Sequence, residues 1–165
     1  MNREKLMLLG MAPAGGEGFT STQLQKLFFI LDQGEGSLRK SLGGPYFNYS
    51  PGDYGPFSQT LPRVLKALIN DGLVVEGKDG LYRLSVRGQV LGELDLLDLS
   101  ESVHEYIREL CVWVRSLSFS ELVASVNGRY PEMAVQSCIQ GCGMTGMSMS
   151  VRGNPGTRVM GVRIG

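Results

Sequence analysis

"YGPFSQTLPRVLKALINDGLVVEGKDGLYRL", Tyr54–Leu84, changes character twice along its length. It opens as an aromatic Pro-Gly turn. Leu61, Val64, Leu65 and Leu68 then recur at helical spacing and form an inward stripe. Ser58, Gln59, Thr60, Arg63, Lys66 and Asn70 fall on the other faces. The helix is predicted to begin near Pro56 to Ser58, because proline is tolerated in a first turn whose amide hydrogens lack partners. Pro62 implies a late start or a slight kink. Asn-Asp-Gly ends the helix, with Gly72 suited to a left-handed cap. "LVVE" and "LYRL" read as two short strands, and the Asp-Gly between them is a hairpin signal.

Upstream, "REKLMLLGM" is a short helical pattern that ends in the glycine-rich "APAGGEG". "TSTQLQKLFFILDQ" follows. Thr20 with Gln23, or Thr22 with Gln25, has the spacing of a capping box, and Leu24, Leu27, Phe28 and Leu31 mark a buried face. From Gly34 to Pro56 the period dissolves into a loop dense in Gly, Pro and Ser. Tyr46, Phe47, Tyr49, Tyr54 and Phe57 crowd around it. Their apolar area is expected to fold this loop onto the core, and a stacking surface is the competing use.

Downstream, "SVRGQVLGELDLLDL" reads as a helix capped by Ser85, despite Gly88 and Gly92. In "SESVHEYIRELCVWVRSL" one face carries Val103, Tyr106, Ile107, Leu110, Cys111, Val114 and Leu117, with Ser102 and Glu105 at capping-box spacing. That stripe either closes the core or pairs with a second copy through the helix 102–117, with Tyr106 and Trp113 at the interface. In "SFSELVASVNGRYP", Ser118 and Glu121 cap a helix that turns Phe119, Leu122, Val123 and Val126 inward. Beyond Cys138 the chain is Gly- and Met-rich and without aromatics. Such a segment is expected to bury too little surface to offset the entropy of ordering. The reading is therefore a domain over 1–137 and a flexible tail over 138–165.

Composition sets the outer limits. The 165 residues are 42% hydrophobic, enough for one real core, and 16 basic side chains balance 16 acidic ones. No whole-molecule field draws such a chain to nucleic acid, so a DNA reader would need Arg39, Lys40, Lys78, Arg83 and Arg87 gathered on one face. The three cysteines, an odd number, imply reduced thiols in the cytoplasm. Cys138 and Cys142 lack the second pair that tetrahedral zinc needs. His104 is the single histidine, with no carboxylate or cysteine cluster around it. No phosphate-binding glycine loop or nucleophile elbow is present. The expectation is a protein without catalytic residues, metal or cofactor. No run reaches the ~20 apolar residues of a membrane span.

Two helices, a loop, a third helix and an immediate hairpin give the winged helix-turn-helix order, in an α+β, mostly helical fold with two additional C-terminal helices. In that arrangement the third helix lies in a groove and the hairpin touches the flanking backbone. Arg63 and Lys66 would hold phosphate or guanine, Gln59 would read a base edge beside Ser58 and Thr60, and Lys78 and Arg83 would touch backbone. "LINDGLVVEGKDGLYRLSVRGQVL" resembles the helix–wing–helix passage of bacterial winged-helix regulators. "TQLQKLFFIL", "FNYSPGDYGPFSQTL", "DGLV", "LSFSELVASVNGRYPE" and "AVQS" resemble the YwgA-like proteins of bacteria and archaea. More distantly, "KLFFIL" and "YGPFS" are similar to the SocA-like antitoxin domain, Panacea. The antitoxin resemblance implies work by protein contact. Two functions therefore stand: a DNA-binding transcription regulator, or an antitoxin-type module that grips a protein with the same helix and aromatic loop.

Overall fold

The computed structural model describes residues 1–134. The expected tail over 138–165, with Cys138 and Cys142, lies outside the described residues. Among the described residues the fold is α+β and mostly helical, with two small antiparallel sheets. In chain order the elements are α1 (Arg3–Met11), α2 (Ser21–Asp32), α3 (Gly36–Leu42), β1 (Tyr49–Gly52), β2 (Gly55–Ser58), α4 (Thr60–Asn70), β3 (Val74–Glu76), β4 (Tyr82–Leu84), α5 (Val86–Leu97), α6 (Glu101–Ser116) and α7 (Phe119–Arg129). They divide into two compact units. One comprises Met1–Asn48 with Ser58–Leu117, and the other Tyr49–Phe57 with the chain from Ser118.

The first unit is built around α1. After the charged and exposed Arg3, Glu4 and Lys5, every residue from Leu6 through Met11 is buried, as expected of a stretch apolar all round. α1 packs against α2, α4, α5 and α6. On α2 the Thr20–Gln23 capping box forms with both reciprocal hydrogen bonds, which is worth about 1 kcal/mol. Leu24, Leu27, Phe28 and Leu31 are buried as their spacing predicts. α6 contributes Val103, Ile107, Leu110, Cys111 and Val114 to the same core.

β3 and β4 pair antiparallel, Val74 with Leu84, Val75 with Arg83 and Glu76 with Tyr82. Phe19 joins as a one-residue third strand. Its N–H donates to the Tyr82 carbonyl at 2.9 Å and its carbonyl accepts from the Tyr82 N–H at 2.8 Å. The hairpin is thereby tied to the segment that enters α2.

α5 inverts the usual helix pattern. Its buried residues are Gly88, Gly92 and Leu96. A Cβ on Gly88 would sit 2.1 Å from the Leu73 carbonyl oxygen, and one on Gly92 would sit 2.5 Å from that of Leu8. The two glycines that weaken a helix by propensity are what lets α5 approach α1 and the start of β3.

In the second unit β1 and β2 form a hairpin, and Gly52 bridges Ala134 beyond α7. Ser118 and Glu121 complete a capping box at the head of α7. Leu122 and Val126 are buried.

Four expectations need correction. The segment from Gly34 to Pro56 is not one loop, since it contains α3 and most of the β1–β2 hairpin. α4 starts at Thr60, because Gly55–Ser58 is extended, and Pro62 therefore falls within the first turn. α6 is capped by Ser100, whose hydroxyl accepts from Val103 N–H, and not by Ser102. Phe119 is half-exposed rather than inward, with its ring edge-to-face on Tyr54 at 5.2 Å.

Candidate functional site

α4 has two distinct faces. Leu61, Val64, Leu65 and Leu68 are buried, while Gln59, Arg63, Lys66 and Asn70 around it are exposed. The helix packs on α1 and β3, so its apolar stripe is braced from behind. Its C-terminus closes at Asp71, and Gly72 takes the left-handed turn at φ 76° into β3. Among the described residues, no hydrogen bond or ion pair engages the side chains of Arg63, Lys66 or Lys78. α4 carries two cations and no acid, whereas β3, β4 and their turn carry Glu76, Lys78, Asp79 and Arg83 and sum to zero.

Several expected contact residues have other tasks. Ser58 is fully buried, and its hydroxyl accepts from the N–H groups of Thr60 and Leu61, so it caps α4 and has no free surface to offer a ligand. Thr60 is half-buried in the first turn. Arg83 is held by Asp79 at 2.7 Å and 3.3 Å. That hydrogen bond, with Leu81 N–H, holds the Asp79 carboxyl down at about 2, and it raises the guanidinium of Arg83 in turn. Arg83 is thus paired with a carboxylate of its own hairpin. Arg39 donates to the carbonyls of Gly34, Gly43 and Asp32, which removes it from any outward basic face. Arg87 likewise donates to the Asp71 carbonyl at 3.3 Å, so among the described residues the cations left exposed and unengaged near the expected face are Arg63, Lys66, Lys78 and Lys40.

The aromatic group divides. Phe47 is buried, 6.0 Å from the Phe28 ring, and the Tyr46 hydroxyl donates to the Leu42 carbonyl at 2.6 Å. These two rings are structural. Tyr49 is half-buried, whereas Tyr54 and Phe57 are exposed on the β1–β2 hairpin. Of the α6 stripe, Val103, Ile107, Leu110, Cys111 and Val114 are buried in the first unit, Tyr106, Trp113 and Leu117 are half-buried, and Val112 is exposed.

Three polar residues of α2 are buried; the sequence offers Gln25 only as a capping-box partner for Thr22, and Lys26 and Asp32 not at all. Gln25 is buried and treats Ser58 as a strand neighbour. Its Nε2 donates to the Ser58 carbonyl and its Oε1 accepts from the Ser58 N–H, both at 2.9 Å. The entry to α4 is fixed by that pair. Asp32 is buried, and its two carboxylate oxygens accept from the N–H groups of Tyr46 and Phe47 at 2.8 Å and 2.9 Å. Burial still pushes its carboxyl above the ordinary range, against those donors and the nearby Arg39.

Lys26 is the third. It is buried in the first unit, and desolvation lowers its ammonium from 10.5 to about 8. Between those values the unfolded chain keeps a proton that the folded chain has released, so stability rises with pH across the window. The displacement corresponds to ~3 kcal/mol. Cys111 acts in the opposite direction at higher pH, since burial lifts its thiol from 9.0 to about 11. Comparison with Lys26→Met isolates the lysine. Urea unfolding at neutral pH and again near pH 10.5 should show wild type gaining ~3 kcal/mol relative to the variant. A gap that stays constant with pH would refute the assignment.

His104 is half-buried beside a cavity of about 400 Å³ lined also by Pro13, Glu93, Leu97 and Arg108. The Arg108 guanidinium is engaged by Glu105. Among the described residues no group of three or more His, Cys, Asp or Glu is placed to hold a metal ion, and no helix is long and apolar enough to cross a membrane.

The class established is thus an α+β, mostly helical protein with an exposed polar helix braced on a small core. Comparison with protein-family models, curated proteins and solved structures returns no match.

Proposed function

We propose that this chain is a non-enzymatic regulator of winged-helix type, acting in the cytoplasm and binding duplex DNA through the outer face of α4. The β3–β4 hairpin is the wing, and Phe19 supplies its short third strand. One observation carries the reading. Arg63 and Lys66 stand exposed and unengaged among the described residues, on a helix whose opposite face is anchored and whose end runs straight into the hairpin. Arg63 and Lys66 take phosphate or a guanine edge, Gln59 a base edge, and Lys78 the flanking backbone.

With so few cations the contact is electrostatically light. Affinity for a mixed-sequence duplex is expected in the non-specific range of ~10⁻⁴–10⁻⁶ M, steeply dependent on salt. Fluorescence anisotropy over a salt series tests this. Arg63→Ala with Lys66→Ala should reduce the slope of log K against log salt by ~2, about 0.9 per lost phosphate contact. Binding that is undetectable at low salt, or a slope unchanged in the double variant, rejects the DNA reading.

A second reading is favoured by the exposed Tyr54 and Phe57 and by the neutral wing. In it, the hairpin rings grip a protein partner of the antitoxin or adaptor kind. Tyr54→Ala would then abolish partner capture while leaving DNA binding unchanged.

A further inference from the structure

The large side chains of α5 point outward. Val86 is 83% exposed, Val90 51%, Leu94 54% and Leu97 70%, while Gly88, Gly92 and Leu96 face the core. At 3.6 residues per turn these four fall within an arc of roughly 80°, opposite the glycine face, with Leu91 at its margin. Single exposed apolar residues are ordinary, but a continuous stripe along a helix marks a surface made for contact. The helix 102–117 has no comparable stripe.

We propose that α5 is the interface of a homodimer, in which two copies pair antiparallel about a twofold axis. The charges beside the stripe choose both the occupant and its direction. Arg87, whose Nη1 donates to the Asp71 carbonyl at 3.3 Å and whose other guanidinium nitrogens remain to pair, lies with Asp98 on one edge, within about 20° around the helix and eleven residues apart. Antiparallel pairing sets Val86 against Leu97 and Val90 against Leu94. It also sets Arg87 of each copy against Asp98 of the other, giving the same ion pair twice, as an isologous contact requires. Parallel pairing about a twofold axis would instead set the Arg87 edge of one copy against the opposite edge of the other, where Gln89 and Glu93 lie, and leave Asp98 without that partner. Opposed helix dipoles favour the antiparallel arrangement as well. On the other edge Glu93 accepts from Gln89 within its own helix at 2.7 Å.

A twelve-residue helix is ~18 Å long, so the pair covers less than the ~800 Å² per partner of a standard interface. The dimer should therefore be concentration-dependent. Sedimentation velocity on the full chain should show a mass rising from the 18.0 kDa monomer toward twice that value as concentration increases. Leu94→Glu should weaken association more than tenfold without changing thermal unfolding, because the residue makes little contact with its own core. Arg87→Glu and Asp98→Arg should each weaken it several-fold, and the two together should restore it. A mass of 18.0 kDa at every concentration, with the stripe free or occupied by a different protein, overturns the proposal. So does a dimer indifferent to Leu94→Glu. A double charge swap as weak as the single ones overturns the antiparallel pairing.

Discussion

Gly88→Ala should destabilise the protein by ~3 kcal/mol, although alanine in an open helix stabilises by about 1 kcal/mol relative to glycine. The added methyl would meet the Leu73 carbonyl oxygen at 2.1 Å, and that oxygen also accepts the Ser85 N–H at 2.9 Å. Backbone, not a pliable side chain, is in the way. Relief requires α5 to move off the start of β3, which disturbs the hairpin and the α1 packing together. Gly128→Ala in α7 is the matched control, since a methyl added there would have nothing within 4 Å. That change should be neutral or stabilising by up to ~1 kcal/mol. Urea denaturation of the two variants beside wild type decides the matter. Equal effects would show that helix propensity, and not the close approach, governs Gly88.

Asp32→Ala should cost a similar ~3 kcal/mol. The substitution leaves the N–H groups of Tyr46 and Phe47 without their acceptors, each worth about 1–3 kcal/mol where water is excluded. Removing a buried carboxylate also removes its desolvation cost, whose sign is evident in the raised carboxyl pKa. The loss is therefore smaller than two full penalties. Asp32→Asn retains one acceptor but turns an amide donor toward the other N–H, so it should recover less than half the loss. Hydrogen exchange at Tyr46 and Phe47 should accelerate in both variants while amides in the middle of α6 remain protected. If stability falls but exchange at 46 and 47 does not change, the carboxylate is not what holds this segment.

The legible parts of the fold are those where one face differs sharply from the other. α4 could be read because its leucines and valine alternate with polar residues at the helical period, and α2 because a capping box precedes a dense apolar stripe. α5 could be placed but not oriented. Its buried face is mostly glycine, and glycine carries no hydrophobic signal to mark which side turns inward. The β1–β2 hairpin was hidden by Pro51, Gly52, Gly55 and Pro56, residues that punctuate chains and are tolerated here in a two-stranded edge setting. Phe19 is a strand of one residue and has no period at all.

At the candidate site the sequence located the helix and its cations but not their surroundings. Ser58 reads as a free hydroxyl beside the polar face of α4 because a cap and a contact residue share one composition. Its distant partner Gln25 lies thirty-three positions away, beyond the reach of local pattern. Asp79 was legible as a turn residue. Its grip on Arg83 follows only from the hairpin register, which sets how far that guanidinium can reach.

The Gln25–Ser58 and Asp32–Phe47 anchors have a corollary. They pin the chain on both sides of an excursion that leaves α2 and returns to it, so whatever is spliced between them has no need to carry tension. Doubling the length of a closed segment costs only ~0.6 kcal/mol in chain entropy. The hairpin between those pins can therefore be exchanged or lengthened while α4 keeps its place.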